Sequence, residues 1–435
     1  MAPRANSKKP ERRNSVASVK INSAVKEVES TSTDKIFSIP IQYWILYLNV
    51  ALYAAAYQMQ QPSQPFMVES LSKSNGTFDY GLFRSYFQGL QVVGSLIAGF
   101  LIDKLGAKWV IALTFFVSAL SYQMTAYATT LPLLYASMIP TILQHTVLGS
   151  RAYVSVASSD QERASYIGYI MVAYGCGMVI GPSVGGYLSS NGNYWLVSTV
   201  AASLSLISLV IVVLFQKEPL TSSSIVDGSS KSNTKKPVNS SDYFKMLTDP
   251  SVFRLLVVKL LFTGAGALFH SVFQVVAAQR FGFDVKGMGF VLSYVGALTI
   301  VSNLVVSFAK SQLSDYTLLI TCGVVLLSSY TAFAASFSAI HLYLLCIPMV
   351  VASGIFQAVS AAQLASLVRA ELTGTATALD MGIGSGVRMI SPVLASSMLS
   401  EYGFSSVGLS SAGLMSAAVF LLFFISPVTA SKVKR

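Results

Sequence analysis

The residues able to do chemistry in this chain are few, and most sit inside long apolar runs. Lys259 lies about nine residues into the run 252–276, roughly 13 Å deep at about 1.5 Å per residue. Arg388 lies about fourteen residues into 374–398, roughly 21 Å deep. Charges at such depth are costly unless they face a cavity or a partner, so both are expected to line a central cavity. Asp380, about six residues into the same run as Arg388, is expected nearer the membrane edge, serving a gate at Asp103. His145 and His270 also fall within runs. Histidine titrates near neutral pH, which suits proton transfer, although a hydrogen-bonded packing role fits as well. Gln58, Gln91 and Gln274, with Gln88 and Gln357, are uncharged donors and acceptors for the cavity or for bonds between helices. The first, fourth, fifth and seventh runs contain no Asp or Glu. The electrostatics therefore favour an anionic or neutral solute over a cation.

Other chemistries have no residues to carry them. There is no Gly-rich phosphate loop, no cluster with metal-ligand spacing and no nucleophile with an accompanying base, so neither catalysis, a cofactor, a metal nor ATP-driven pumping is expected. Cys176, Cys322 and Cys346 all lie in apolar runs and read as small hydrophobes.

The elements that must position these residues are membrane spans. Hydrophobic residues make up 53% of the chain and charged ones 11%, against about a quarter charged in soluble domains. Apolar runs near the ~20 residues needed to cross a bilayer recur at 41–61, 81–102, 107–127, 131–154, 165–189 and 194–215. They recur again at 252–276, 287–309, 317–336, 341–366, 374–398 and 405–427. The expected organisation is a disordered cytoplasmic tail (1–38), a six-helix bundle (39–215), a polar linker (216–250), a second six-helix bundle (251–428) and a short cytoplasmic tail (429–435). The fold class is an all-α membrane protein of twelve transmembrane helices in two pseudo-symmetric bundles.

With the N-terminus cytoplasmic, twenty-two of the 29 Lys and Arg fall on the cytoplasmic side and four (Lys73, Arg84, Arg280, Lys286) on the other. That imbalance places both termini inside. It also assigns the net charge of +11 to contact with anionic lipid rather than nucleic acid. Asn75-Gly76-Thr77 is a glycosylation signal on the outer side, whereas Asn239-Ser240-Ser241 lies in the linker and should stay unmodified. A weak repeat pairs Tyr135…Pro140 with Tyr343…Pro348, and Gly181-Pro182 with Ser391-Pro392, at nearly constant offset.

Two motifs carry mechanism. Gly99-Phe-Leu-Ile-Asp103-Lys104-Leu-Gly106-Ala-Lys108 closes the second span. Gly99 would admit a neighbouring helix, Gly106 a tight turn, and Asp103 would face the positive end of another helix. Gly177, Gly181, Pro182, Gly185 and Gly186 put small residues at four-residue spacing on the fifth span, a face suited to close packing. The first motif resembles the loop signature of the major facilitator superfamily, and the second its drug:proton antiporter signature. The 40–430 region is similar to the organic-cation-transporter-like, tetracycline-efflux-type branch, through Ile139-Pro140 to His145-Thr146, Glu162-Arg163, Val258-Lys259 and Val387-Arg388 to Pro392. The resemblance implies a secondary transporter of a small organic solute working by alternating access, with proton antiport. Met138 stands where many members carry an arginine tied to proton handling, and the gate motif's second copy, Lys310 to Asp315, is degenerate. Uniport or organic-anion transport without protons is the alternative, and a non-transporting receptor or scaffold another. A single chain in the bilayer, of the plasma membrane or an organelle, is expected to suffice.

Overall fold

The computed structural model describes residues 39–73, 75–218, 248–336, 338–369 and 372–423. The expected tails and most of the linker, with Asn239, lie outside them. Every regular element among the described residues is helical. That is what hydrocarbon imposes on a chain this apolar, since each backbone N–H and C=O must find its partner within the protein.

The first half of the molecule contains α1 (Ile41–Gln60), α2 (Gln64–Leu71), α3 (Gly76–Leu105), α4 (Ala107–Ala126), α5 (Leu131–Met138), α6 (Thr146–Ala157), α7 (Asp160–Leu188) and α8 (Tyr194–Phe215). The second contains α9 (Pro250–Phe281), α10 (Val285–Gln312), α11 (Asp315–Ala334), α12 (Ala339–Leu367), α13 (Thr373–Tyr402) and α14 (Phe404–Phe423). Among the described residues, ten helical segments are long and apolar enough to cross a membrane. Helices α1 and α13 complete the twelve. They are more polar because they carry Asn49, Gln58 and Gln60 in one case and Asp380, Arg388 and Glu401 in the other.

Within the first half α1 packs on α7 and α8, and α4 on α8; within the second, α9 packs on α13 and α14, and α11 on α12 and α14. The halves meet along α3 with α13 and α7 with α10. An aromatic seam of Tyr43, Tyr47, Tyr166 and Tyr169 joins α1 to α7, with Tyr43 and Tyr166 rings 4.4 Å apart. Phe269 of α9, fully buried, packs on Phe333 and Tyr330 of α11 at 4.5 and 5.5 Å.

Helix ends follow side-chain chemistry more closely than hydropathy. Helix α9 is 32 residues long and outruns the apolar stretch 252–276. The Asp249 carboxylate accepts from the Ser251 and Val252 N–H groups at its start, and Gly282 stops it in the left-handed conformation. The short α2, which hydropathy does not reveal, carries Pro65 in its first turn and buries Met67 and Val68 against Tyr80 and Phe83.

The fourth span, expected as one helix over 131–154, is broken. It runs as α5, a 3₁₀ turn over Ile139–Leu143, and α6. Pro140 supplies no N–H and crowds the preceding turn, so the α-helical ladder ends there. The carbonyls released at the break are met by side chains from three other helices. Gln91 Nε2 donates to Thr141 O (2.8 Å), Thr114 Oγ1 to Leu143 O (3.1 Å) and Tyr53 OH to Gln144 O (3.4 Å). The sequence-related Pro348 leaves α12 unbroken.

The two halves touch mainly at one end. Near the Asn75 end, Ser183 and Ser293 hydroxyls bond at 2.7 Å, and Tyr80 OH donates to Gln274 Oε1 at 3.1 Å. There Gly186 leaves room for the Val285 carbonyl, which a Cβ would meet at 2.7 Å. Near the Asp103 end the neighbourhood is open. No atom stands within 4 Å of where a Cβ would sit on Gly99, Gly168, Gly382 or Gly386. The close contacts between the halves thus lie toward the Asn75 end, which leaves the Asp103 end the more open of the two.

Candidate functional site

Between the halves lies a cavity of about 270 Å³. Helix α3 contributes Arg84 and Gln88, α9 contributes Phe262 and His270, α12 contributes Gln357, and α13 contributes Arg388. Each half supplies one guanidinium, and the lining contains no carboxylate. Arg84 Nη1 is aimed by Gln61 Oε1 at 2.8 Å and Gln64 Oε1 at 3.4 Å. Arg388 Nη2 reaches Ser385 Oγ at 3.4 Å, one turn back on its own helix. The glutamines are neutral acceptors, so they orient Arg84 without cancelling its charge. Guanidinium groups offer planar, paired donors that match a carboxylate or phosphate.

The other expected cavity charge sits elsewhere. Lys259 is 6% exposed, and its Nζ lies 2.7 Å from Asp380 Oδ2. Asp380 was expected at the gate; it is instead the counter-ion of Lys259, tying α9 to α13 within the second half. The geometry follows from depth. Lys259 is nine residues from the start of α9 and Asp380 seven from the start of α13, so both lie at one level from the open end. Desolvating a lysine there requires a carboxylate beside it.

Of the remaining expected pathway residues, His270 lines the cavity and sets its ring edge-on to Phe269 at 5.6 Å. His145 sits at the break in the fourth span, where its Nε2 is buried against Gly94. Gln91 is committed to the same break, and Gln274 to the bond between the halves. Gln58 packs its Cβ beside Gly181. None of these four is in the cavity lining.

In the antiporter-like motif, Gly177, Gly181 and Gly185 face Ala54, Ala55 and Met59 of α1. Gly186 and the carbonyl of Pro182 face α10 at Gly289. The four-residue stripe therefore packs within the first half, and Pro182 and Gly186 pack across to the second.

In the gate motif, Asp103, Lys104 and Leu105 are exposed. Gly99 was expected to admit a neighbouring helix, yet nothing approaches it in this open arrangement. The Lys104 and Lys108 ammonium groups lie over Phe100 and Trp109 at 5.8 and 5.2 Å. Gly106 turns the chain at φ 85°, a conformation that disfavours a side chain. The carboxylate at the start of α4 is not Asp103 but Glu218, just beyond α8, which accepts the Lys108 N–H. It also fills the space where a Gly106 side chain would go. Burial raises the Glu218 pKa, and the Lys108 N–H and ammonium partly offset that. The same strap is held by Tyr153 OH on Lys217 O (2.8 Å) and by Lys217 N–H on Gln42 Oε1 (2.7 Å). Asn75 is exposed and caps α3 through Phe78 N–H at 3.1 Å.

Arg84 and Glu218 are the residues that sequence reading missed. Arg84 counts as a loop cation when spans are drawn from hydropathy, yet Arg84, Gln88 and Gln91 follow i, i+4, i+7 spacing, the mark of one polar helix face. Glu218 gave no signal, because its role depends on where the chain returns after α8.

Twelve membrane helices in two halves, meeting over a polar cavity that opens at one end, define a secondary transporter. The model of the Major Facilitator Superfamily matches residues 46–392, and the chain belongs to that family. It is 23% identical over 367 residues to mouse solute carrier family 22 member 18, covering 82% of this chain and 89% of that protein. It is 25% identical over 273 residues to the class H tetracycline resistance protein of Pasteurella multocida, covering 62% and 66%. Among solved structures, the human organic anion transporter MFSD10 superposes with a TM-score of 0.63 at 18% identity, covering 88% of this chain and all of that one.

Proposed function

We propose that this transporter moves small organic anions by alternating access, as a single chain with its Asp103 end in the cytoplasm. One observation carries the reading: Arg84 and Arg388 face the cavity from opposite halves, with no carboxylate in its lining. Lys259, which is buried, is paired with Asp380 at 2.7 Å, and the same carboxylate also acts on Arg388 from outside the cavity lining. An anion placed between the arginines would touch both halves at once, and contact with both is what lets a bound solute bias their relative position. The name of the human structural neighbour, an organic anion transporter, agrees with this chemistry. Sidedness rests on the lysine and arginine distribution. We find no constellation for catalysis and read the chain as a carrier only.

Exchange for protons is a second reading, favoured by His270 in the cavity wall and by the similarity to tetracycline resistance proteins. Purified protein in liposomes tests both, with uptake of labelled anions, neutral solutes and cations measured with and without a pH gradient. Uptake confined to anions supports the proposal, and acceleration by an opposing proton gradient adds the exchange. Uptake of cations in preference to anions overturns it.

A further inference from the structure

The central cavity has a second lobe that recognition of an anionic head leaves unused. It measures about 360 Å³ and lies between α10 and α12. It meets the arginine lobe along His270, Ser353 and Gln357, which line both. Beyond that shared wall the lining changes character, to Val295, Thr299, Val350, Ala358 and Ala361, with Asn303 as its amide. Its hydroxyls are already engaged. Thr299 donates to Val295 O at 2.9 Å and Ser302 to Val351 O at 3.1 Å. What they leave facing the space is largely methyl and methylene surface. One lobe therefore suits a charged head and the other an apolar body.

We propose that the substrate is an amphiphilic organic anion. Its acidic group lies between Arg84 and Arg388, and its apolar tail passes His270 and Gln357 into the lobe between α10 and α12. This rests on the anion reading above and adds the tail. A tail in that lobe also contacts α10, one of the second-half helices that meet the first half. Filling it therefore engages an element that moves when the halves rock.

The test is a series of straight-chain carboxylates, butyrate to decanoate, titrated against the full chain in nanodiscs by calorimetry. Alcohols of the same lengths control for partition into lipid. Burying each methylene is expected to improve saturable binding to the protein about fourfold until the lobe is full, while the alcohols show only the non-saturable uptake that empty nanodiscs also give. Ala358 and Ala361 are exposed to the lobe, so Ala358→Leu or Ala361→Leu shortens it without disturbing a packed contact. In either variant the gain from hexanoate to decanoate should fall below twofold. Equal affinity for butyrate and octanoate in the parent, with binding lost in Arg388→Ala, overturns the tail and spares the anion reading. No binding by any acid, short ones included, removes both.

Discussion

The pair Lys259–Asp380 lets structure and flux be separated by experiment. The ammonium and carboxylate are 2.7 Å apart, with side chains 7% and 24% exposed. Removing one partner of so buried a pair leaves an uncompensated charge, which costs about 3–5 kcal/mol, whereas replacing both with apolar residues of similar size is often near neutral. The Asp380 side is partly open, so the lower figure is the better expectation. Asp380→Asn should then lower the folded-to-unfolded ratio by about a hundredfold, since 1.4 kcal/mol is about tenfold. The double variant Lys259→Met/Asp380→Leu should recover most of the loss. The assay is thermal unfolding of purified protein in one detergent, followed by monodisperse elution, for both singles and the double. Equal loss in Asp380→Asn and the double variant would refute the coupling. It would return Lys259 to the cavity as a charge held for the solute. Full stability of both singles would do the same.

Arg388→Ala should reach the membrane at normal levels and lose at least tenfold in anion uptake, while Arg388→Lys, which keeps the charge but not the paired donors, should retain part of it; surface labelling beside flux checks this. Glu218→Gln should loosen the loop at Gly106 and quicken proteolysis between α8 and α9, whereas Gly106→Ala, which needs the left-handed backbone and displaces Glu218, should be worse; limited digestion ranks them. Asn75 should carry a glycan in a eukaryotic secretory pathway, and a glycosidase-sensitive band that survives Asn75→Gln but vanishes with Asn239→Gln would invert the sidedness. Asp103→Asn should slow turnover and speed labelling of cysteines placed on the open cavity wall, and unchanged labelling and flux would leave Asp103 as a loop residue only.

The fold was legible because length and hydropathy alone nearly determine it. Each run of about twenty apolar residues had to become a helix, and the polar linker divided them six and six. What hydropathy could not supply was anything set by contact. Arg84 looks like a loop cation until α3 is seen to begin at Gly76, eight residues earlier. Lys259 and Asp380 are far apart in the chain, and only the packing of α9 on α13 makes them partners. The break at Pro140 was hidden because Pro348, in the matching sequence context, does not break α12. Around the fourth span, Gln91, Thr114 and Tyr53 are positioned as donors to the carbonyls freed at the break.

The ends of the molecule differ in how they hold the halves together, and that difference is what a rocking carrier needs. At the Asn75 end, contact rests on glycines and serines that admit backbone close to backbone, as at Gly186 against Val285 and Ser183 against Ser293. Such contacts are dense but individually weak, so they can part without stranding a charge. At the Asp103 end the loop is already held in shape by Glu218, Tyr153 and Gln42. Asp103 is therefore not required to build its own loop and stays exposed in the open arrangement. On the proposed gate role, Asp103 would meet the start of a neighbouring helix when this end closes, for about 0.3–2 kcal/mol. Since about 1.4 kcal/mol changes a population ratio tenfold, one such contact would be enough to shift the resting balance and weak enough for the proposed anion to overturn.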